Sequence, residues 1–496
     1  MNATCTTPAD LTGAPKCRWR DLYREAELYK CAIRLYTKPL FSWRKALLTS
    51  TDKKDLYDFA RRGPQNLAGI HRALQKESFT FRPGVALHRN FRGKKRTLYI
   101  YPWEERLVDL LLYRLLSARL HHRFSTNSYA YRLRGFGLDR CQHKIAALLA
   151  DTGSPLFVAK RDIANYFPSV DQNLLFQQLQ QIVEPGDYLF QLLCERVRFQ
   201  FEDGGATQTA LRGIAFGTPI ACFFANLYLT PLDCQLDSIP SLRYFRYADD
   251  LLFFSEQKEA VVEAVERLNA VLAVRCLSSK ASHEQNLLLS KNAARSEEFT
   301  TASRFRHLGL EFSAGGGIRL SRDKCRKICN IFRYAFRRRR AKLARILDFR
   351  KRAQFAVELA RRALNESVRN VAIIDYYLKH VTDESQLHLL DRWLAEEVLS
   401  IAFQGGHKRG YFRLLPYEAL RAMGLPSLVH RRREIRHGQI EAPFFVWKRY
   451  QLRKSSRETA ARPLPSKAES PAFSPCPEAV TAHSFSEDLV REGRHL

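Results

Sequence analysis

Two adjacent acidic residues, Asp249 and Asp250, interrupt a mostly apolar stretch that runs from Tyr244 to Phe254. Apolar runs on both sides of a short polar pair predict a β-hairpin with the acids at its turn. In most chains such a pair is only a solvated turn. Between buried strands, however, two carboxylates carry a high desolvation cost unless a cation compensates them. The pair therefore predicts a hairpin that holds metal ions.

A third carboxylate, Asp162, follows a short apolar strand predicted at 156–159. Asp162 and Asp249 are 87 positions apart, so only adjacent strands of one sheet can bring them together. Carboxylates that close repel one another unless cations lie between them. Two Mg²⁺ ions about 3.5–4 Å apart supply those cations and catalyse in-line phosphoryl transfer. Oxygen ligands of this kind suit Mg²⁺.

The charge of the chain indicates a polyanionic partner. The 496 residues include 81 Lys and Arg against 51 Asp and Glu, which leaves a net charge of +30. Because phosphates release counterions when Lys and Arg neutralise them, nucleic acid is favoured over a membrane. Residues 322–362 alone hold 16 basic and 3 acidic residues. Two simpler interpretations stay open, namely a merely soluble basic protein and an arginine run that solvates a helix face.

The order of the elements predicts an α+β fold, with helices packed against a mostly antiparallel sheet. Apolar periodicity predicts helices at 19–35, 104–121, 174–183, 187–197 and 259–272, and strands at 97–101, 156–159 and 305–312. After residue 321 only helices are expected. The last 42 residues, 455–496, contain five prolines and few large apolar groups, which predicts a disordered tail.

Several other classes of protein are disfavoured. The eleven cysteines are scattered without a Cys-x-x-Cys pair, which indicates reduced thiols in a cytosolic protein rather than a zinc site or disulfides. The first twenty residues lack the apolar segment of a signal peptide. Residues 213–232 carry no charge, but Pro219 and Pro231 favour a buried loop and helix over a membrane span.

The acidic motifs resemble those of reverse transcriptases. Tyr247-Ala248-Asp249-Asp250 looks like the catalytic motif of that family, and Asp162 looks like the first aspartate of its palm domain. The resemblance runs in the family's order from about Phe81 to Ser321. Other segments are similar to the fingers, nucleotide loop and primer grip of bacterial group II intron-like enzymes: Phe81-Arg82-Pro83, Gly93-Lys94-Lys95-Arg96, Ile100-Tyr101-Pro102, Ser128-Tyr129-Ala130-Tyr131-Arg132, Gly213 to Leu229 and Phe305-Arg306-His307-Leu308-Gly309.

This resemblance implies a right-hand polymerase that copies an RNA template into DNA from dNTPs. The implied divisions are an N-terminal helical extension at 1–75, fingers at 76–155, a palm with an antiparallel sheet at 156–321 and a basic all-α thumb and C-terminal region at 322–454. Two Mg²⁺ ions, with Mn²⁺ as a substitute, would be held by Asp162, Ile163, Asp249 and Asp250. The nucleotide would contact Lys94, Lys95, Arg96, Phe167, Gly217 and Lys291, with Lys280 as the alternative to Lys291. The nucleic acid would contact Arg132, Arg337, Arg338, Arg339 and Arg340.

The sequence also departs from the family. The usual Pro-Gln before the second glycine of the nucleotide loop is Ala215-Phe216 here, which removes an amide expected near the incoming nucleotide. No zinc-bearing or HNH nuclease module follows, and the Val-Thr-Gly signature of retron enzymes is missing. The pattern looks like the domesticated bacterial reverse transcriptases, many of them phage-defence proteins. We therefore expect a dedicated non-coding RNA as template, a DNA product and a bacterial cytoplasmic location, with the primer, including a protein hydroxyl, and a homo-oligomeric state left open.

Three alternatives remain at this stage. The first is a retron or group II intron-type reverse transcriptase or maturase. The second is an RNA-dependent RNA polymerase, which shares the carboxylates; Phe167 argues against it, because an aromatic ring there would lie under the sugar and exclude a 2′-hydroxyl. The third is a non-catalytic RNA-binding protein, against which the presence of all three acids argues.

Overall fold

The computed structural model describes residues 15–39, 45–46, 49–91, 94–132, 135–152, 155–290, 296–365 and 368–438. The predicted tail and Lys291 lie outside these residues. The described chain divides into two compact units. The first contains the residues up to Cys141 and those from Ser154 to Thr301, and the second contains Gln142–Gly153 and the residues from Ala302 onward.

The helices up to residue 274 are α1 (Trp19–Leu22), α2 (Glu25–Thr37), α3 (Leu56–Arg61), α4 (Gly63–Gln75), α5 (Trp103–Leu120), α6 (Leu138–Asp151), α7 (Tyr166–Ser169), α8 (Gln172–Ile182), α9 (Tyr188–Val197), α10 (Pro219–Tyr228), α11 (Thr230–Asp237) and α12 (Lys258–Val274). Short 3₁₀ helices lie at His121–Arg123 and Ala281–His283. The strands up to residue 302 are β1 (Gly84–Phe91), β2 (Lys94–Ile100), β3 (Leu156–Asp162), β4 (Gln200–Asp203), β5 (Ala206–Thr209), β6 (Arg243–Tyr247), β7 (Asp250–Ser255), β8 (Gln285–Leu289) and β9 (Thr300–Ala302).

The helix predicted over 19–35 is interrupted. Tyr23 and Arg24 are extended, so the segment forms α1 and α2 instead of one helix. The break lets Trp19 enter the core, where its indole N–H donates to the Leu74 carbonyl at 3.1 Å. Tyr23 stacks on the Trp19 ring with the ring centroids 4.7 Å apart. Tertiary packing of two aromatic rings therefore overrides the local helical periodicity.

A five-stranded sheet in the order β6-β7-β3-β8-β9 forms the centre of the first unit. The pairs β6–β7, β7–β3 and β3–β8 are antiparallel. Leu251 to Ser255 are buried along β7, because α12 packs against this strand and against β3. The central antiparallel sheet predicted from the sequence is thus confirmed.

A second sheet of this unit has the order β2-β1-β4-β5. Strands β1 and β2 form an antiparallel hairpin, and β4 pairs with β1 in parallel. Between β5 and β6 in the sequence lies α10, which begins at Pro219 and is buried from Ile220 to Tyr228. The uncharged stretch at 213–232 is therefore a loop followed by a buried helix. No helix within the described residues is long and apolar enough to cross a membrane.

The second unit contains the three-stranded sheet β10-β11-β12, formed by β10 (Arg304–His307), β11 (Leu310–Ser313) and β12 (Ile318–Leu320). The single strand predicted over 305–312 is wrong. Leu308 and Gly309 have φ values of 47° and 83°, and they form the two-residue turn of a tight hairpin. Positive φ at both turn residues is what such a hairpin requires.

Helices alone follow β12 as far as residue 438, as predicted. They are α13 (Arg322–Arg338), α14 (Arg340–Arg345), α15 (Phe349–Asn365), α16 (Val368–His380), α17 (Glu384–Ala402), α18 (Tyr411–Leu414), α19 (Tyr417–Ala422) and α20 (Leu428–Arg436). A buried ion pair joins two of them, because Arg431 Nε donates to Asp375 Oδ1 at 2.6 Å. Asp391 accepts from the Leu428 amide at 2.7 Å and so ties α17 to the start of α20.

Candidate active site

The acidic hairpin lies beside the strand that carries the third carboxylate. Asp250 is the first residue of β7, and it pairs directly with Asp162 at the end of β3. Directly opposed residues of an antiparallel pair lie on one face of the sheet, with Cβ atoms roughly 4.5–5.5 Å apart. The Ile163 amide donates to the Asp249 carbonyl at 3.1 Å, so the pairing continues to the turn. The fold therefore places Asp250 directly opposite Asp162, with Asp249 next to it in the turn.

The turn between β6 and β7 contains only Ala248 and Asp249, because Tyr247 pairs with Asp250. Ala248 has a φ of 59°, a left-handed conformation that costs a non-glycine residue roughly 1–2 kcal/mol. A two-residue hairpin turn requires such a conformation at its first position. Asp249 and Asp250 are partly exposed, whereas the strand residues that follow them are buried. The hairpin thus presents its acids at the end of a buried sheet.

The Asp162 carboxylate has a partner that the sequence analysis missed. His283, in the second 3₁₀ helix, lies with Nδ1 2.6 Å from Asp162 Oδ2, and its Nε2 lies 3.2 Å from Lys280 Nζ. An ammonium group only donates, so Nε2 accepts and Nδ1 carries the proton given to Asp162. The Lys280 amide also donates to the Asp162 carbonyl at 2.7 Å. Lys280 is therefore beside the first aspartate, while Lys291 lies outside the described residues.

The oxygen donors at this edge are of the kind that Mg²⁺ prefers. Three carboxylates are present, and Ile163, whose apolar side chain is buried, can offer only its main-chain carbonyl. Within the described chain no three His, Cys, Asp or Glu side chains are grouped as a metal site. Asp162 is turned toward His283 instead. The donor set fits a divalent metal by its chemistry, with Asp162 Oδ2 hydrogen-bonded to His283 in this structure.

The loop at 213–218 is fastened to the segment after β3 and to strand β2. The Ile214 amide donates to the Phe167 carbonyl at 2.9 Å, and the Tyr99 amide donates to the Phe216 carbonyl at 3.1 Å. Gly217 follows with a φ of +107°, a backbone conformation that residues with a Cβ atom rarely adopt. Phe167, on α7, therefore lies beside the loop that contains Gly217. Both residues are predicted nucleotide contacts.

The predicted triphosphate cations lie on β2. Successive residues of a strand point to opposite faces, so Lys95 and Arg96 do not share a face. Arg96 is partly buried, with its guanidinium carbon 5.6 Å from the centre of the Phe216 ring. Lys95 is exposed. For Lys94 the structure describes the backbone only, as a member of the strand. Of the two side chains described, those of Lys95 and Arg96, Arg96 is the one with a recorded contact to the loop.

Arg132 lies among main-chain carbonyl groups of its own loop. Its guanidinium donates to the main-chain carbonyls of Ser125, Ser128 and His121. It also stacks on Phe136, with its central carbon 3.7 Å from the ring centre. Burial lowers the pKa of Arg132 to about 10. These contacts hold Arg132 within its own loop, and its contact with nucleic acid stays a prediction.

The four consecutive arginines of the second unit, Arg337 to Arg340, span the end of α13 and the start of α14, and all four are exposed. An open cavity of about 570 Å³ is lined by Arg338, Arg339, Ala341, Lys342, Arg345 and Ile346. The exposed ring of Tyr334 lies one turn earlier on α13, 5.8 Å from the Arg338 guanidinium carbon. The corner between the two helices is thus a cationic surface with an aromatic ring at its edge.

Comparisons with known proteins agree with this geometry. Residues 67–312 match the family model described as reverse transcriptase (RNA-dependent DNA polymerase). The Retron Ec83 reverse transcriptase of Escherichia coli is 22% identical over 182 residues, which cover 36% of this chain and 54% of that protein. The chain therefore spans about half the length of this curated relative.

Two solved structures are also similar, at low identity. Apo telomerase from Candida tropicalis matches with a TM-score of 0.40 and 12% identity over 69% of this chain and 66% of that one. The same telomerase truncated from its C-terminal domain matches with a TM-score of 0.36 and 11% identity, over 52% and 60% of the two chains. TM-scores this low carry no weight for function.

The α+β polymerase fold predicted from the sequence is confirmed, as is the helical character of the described residues between 322 and 438. The three acids, Phe167 and Gly217 all lie within the matched residues, whereas the arginines at 337–340 lie beyond them. Residues 67–312, just under half of the chain, are therefore similar to reverse transcriptases, the family of RNA-directed DNA polymerases.

Proposed function

We propose that this protein copies an RNA template into DNA by two-metal-ion nucleotidyl transfer. The observation that carries the proposal is the direct pairing of Asp162 with Asp250, beside the turn that holds Asp249. Asp162, Asp249, Asp250 and the Ile163 carbonyl would hold two Mg²⁺ ions. Metal ions held by these residues would supply a lowered pKa for an attacking 3′-hydroxyl and positive charge for the leaving pyrophosphate.

The chain's own residues would then bind and orient the nucleotide. Arg96 offers a planar guanidinium, whose N–H groups match phosphate oxygens. Lys280, whose Nζ lies 3.2 Å from Nε2 of the His283 that contacts Asp162, would carry a positive charge on the side of the leaving group. Gly217, without a side chain, lets the backbone approach the template–nucleotide pair. The assignment is tested by primer extension on a primed RNA with each dNTP, with Mg²⁺ or Mn²⁺ supplied. A non-catalytic RNA-binding protein would bind the RNA without extending the primer.

Replacing Phe167 with alanine is expected to admit ribonucleotides while leaving measurable incorporation of dNTPs. The ring is half-buried beside the loop that carries Gly217, so its removal opens space for a 2′-hydroxyl. The measurement is the rNTP/dNTP ratio of kcat/KM, together with a melting curve. If Phe167 is instead an ordinary core aromatic, the variant loses about 3–5 kcal/mol of stability and its activity.

The control for this experiment is Phe190→Ala, which truncates another half-buried aromatic ring, on α9. It should lower the melting temperature without changing the sugar selectivity. A folded Phe167→Ala enzyme that rejects rNTPs as strongly as the wild type would leave the RNA polymerase alternative standing.

The basic helices of the second unit would bind the backbone of the nucleic acid without regard to sequence. Replacing Arg337, Arg338, Arg339 and Arg340 together with glutamine is expected to weaken RNA binding. It should also flatten the salt dependence by about 0.7–0.9 in the log–log slope for each phosphate that is no longer neutralised. Fluorescence anisotropy of a labelled RNA over a series of salt concentrations measures both effects.

A matched control is available on α15, where Arg361 and Arg362 are exposed and pair with Glu358. The double variant Arg361→Gln with Arg362→Gln should change the slope less for each charge removed. If the slope of the salt dependence changes by the same amount per charge removed in the two variants, the arginine run at 337–340 only solvates its helices.

The biological setting that we propose is a bacterial defence enzyme with a dedicated non-coding RNA as its template, acting in the cytoplasm. The support is the resemblance of the motifs to the domesticated bacterial enzymes, together with the retron reverse transcriptase among the relatives. Sequencing the RNA and DNA that co-purify with the protein tests it. One recurrent RNA with complementary DNA supports the proposal, whereas a retron-type product covalently joined to RNA, or intron RNA, would support one of the alternatives.

A further inference from the structure

The residue that replaces the family's glutamine, Phe216, contacts two of the groups assigned to the incoming nucleotide. We propose that Phe216 is a positioning residue whose ring holds Phe167 beneath the sugar and Arg96 at the triphosphate. One side chain would thereby couple sugar selection to nucleotide affinity. This inference rests on the proposed polymerase function and deepens it.

The first contact fixes the ring of Phe167. The Phe216 and Phe167 ring centroids are 5.2 Å apart, with an angle of 82° between the ring planes. Tyr131 meets Phe167 edge-on at 6.2 Å, and Tyr166 does so at 5.9 Å. Edge-to-face pairs at these separations are attractive beyond the area that they bury. Three aromatic rings thus contact Phe167, and the distance between ring centroids is shortest for Phe216.

The second contact fixes a cation of the second sheet. The guanidinium carbon of Arg96 lies 5.6 Å from the centre of the Phe216 ring, within the range of a cation–π interaction. Stacking on a ring uses the face of the guanidinium and leaves its N–H groups in the plane for phosphate oxygens. A glutamine at this position would have no ring face to offer. The substitution therefore replaces an amide that could bind the nucleotide with a ring that orders the residues around it.

The main chain sets the position of the Phe216 ring. Its carbonyl accepts from the Tyr99 amide on β2 at 3.1 Å, three residues after Arg96. Two residues earlier, the Ile214 amide donates to the Phe167 carbonyl at 2.9 Å. The backbone therefore anchors Phe216 to the same two segments that its side chain contacts. This agreement between main-chain and side-chain contacts distinguishes Phe216 from a loop residue that only fills space.

The test replaces Phe216 with leucine in the full-length protein and measures steady-state incorporation of each dNTP and its rNTP. We expect the KM for dNTPs and the rNTP/dNTP ratio of kcat/KM each to rise by about tenfold, the size expected when an aromatic pair and a cation–π interaction are removed. kcat for dNTPs should change less than KM. Phe216→Tyr keeps the ring, and this variant should have the selectivity and the KM of the wild type.

A matched control lies on α8, where the partly buried ring of Phe176 has the Arg198 guanidinium carbon 5.0 Å from its centre. Phe176→Leu removes a similar interaction that involves neither Phe167 nor Arg96, and it should leave the selectivity and the KM unchanged. If Phe216→Leu lowers the melting temperature so far that the protein unfolds, Phe216→Met takes its place, because methionine fills a similar volume without a ring.

The double variant Arg96→Gln with Phe216→Leu provides a second measurement. If Phe216 acts through Arg96, the effects of the two substitutions on KM are not additive. An active wild type whose folded Phe216→Leu variant keeps its KM and sugar selectivity would overturn the inference and leave the polymerase function standing. A folded wild type that incorporates no dNTP on any primed RNA would instead contradict the proposed function itself.

Discussion

Asp249→Asn, alone or combined with Asp250→Asn, is expected to reduce DNA synthesis to background while leaving RNA binding nearly intact. Metal ligation needs the negative charge, and the residues proposed to contact phosphates lie elsewhere in the chain. Extension of a primer on an RNA template gives the first measurement. Binding of Mn²⁺, followed by the decrease of its free EPR signal, gives a second that does not depend on turnover, and it should weaken in the variants.

Glu256→Gln is the matched control, because it removes an exposed carboxylate just beyond β7 and six positions after Asp250. It should leave both extension and Mn²⁺ binding unchanged. A double Asp249→Asn, Asp250→Asn variant that incorporates dNTPs at a rate comparable with the wild type would show that the active site has been assigned to the wrong residues.

Arg246→Met should destabilise the first unit by about 3–5 kcal/mol, because it leaves a buried carboxylate without its partner. Arg246 lies on β6, three residues before Asp249, and its side chain and that of Asp233 are both 0% exposed. Its Nε donates to Asp233 Oδ1 at 2.8 Å, and another of its N–H groups donates to Asn226. Burial raises the pKa of Asp233, and the nearby Arg246 charge lowers it. Urea unfolding followed by fluorescence measures the change.

The double variant Arg246→Met with Asp233→Leu should recover most of the stability, because neither charge of this pair then remains buried. An exposed pair on α17, Arg392 with Glu396, gives the comparison. Arg392→Met should cost at most about 1 kcal/mol, as for surface pairs in general. If Arg246→Met were no more destabilising than Arg392→Met, the buried pair would contribute little to the stability of the acidic hairpin.

The sequence predicted the acidic hairpin and its neighbouring strand because both signals are local. Apolar runs on either side of Asp249 and Asp250 indicate two strands, and an apolar strand leads into Asp162. The register that pairs Asp162 with Asp250 then follows from keeping the apolar residues of both strands buried. The buried helix α10 was predicted for a similar reason, since its stretch carries no charge.

Other features depend on contacts that no local pattern records. His283 meets Asp162 across 121 positions, from a 3₁₀ helix too short to show a periodicity. The fixed environment of Arg132 arises from three carbonyls that become acceptors only when their loop closes. The hairpin at 305–312 escaped prediction because its turn holds Leu308, a residue that rarely adopts a positive φ.

The hydrogen bond from the Tyr99 amide to the Phe216 carbonyl has a consequence for motion. It joins strand β2 directly to the nucleotide loop, and a second bond joins that loop to the Phe167 carbonyl. An outward swing of the β1–β2 hairpin must therefore either break the Tyr99 bond or carry the loop with it. If Arg96 and Phe167 contact the nucleotide as proposed, the contact with the triphosphate and the contact with the sugar would then form and break together.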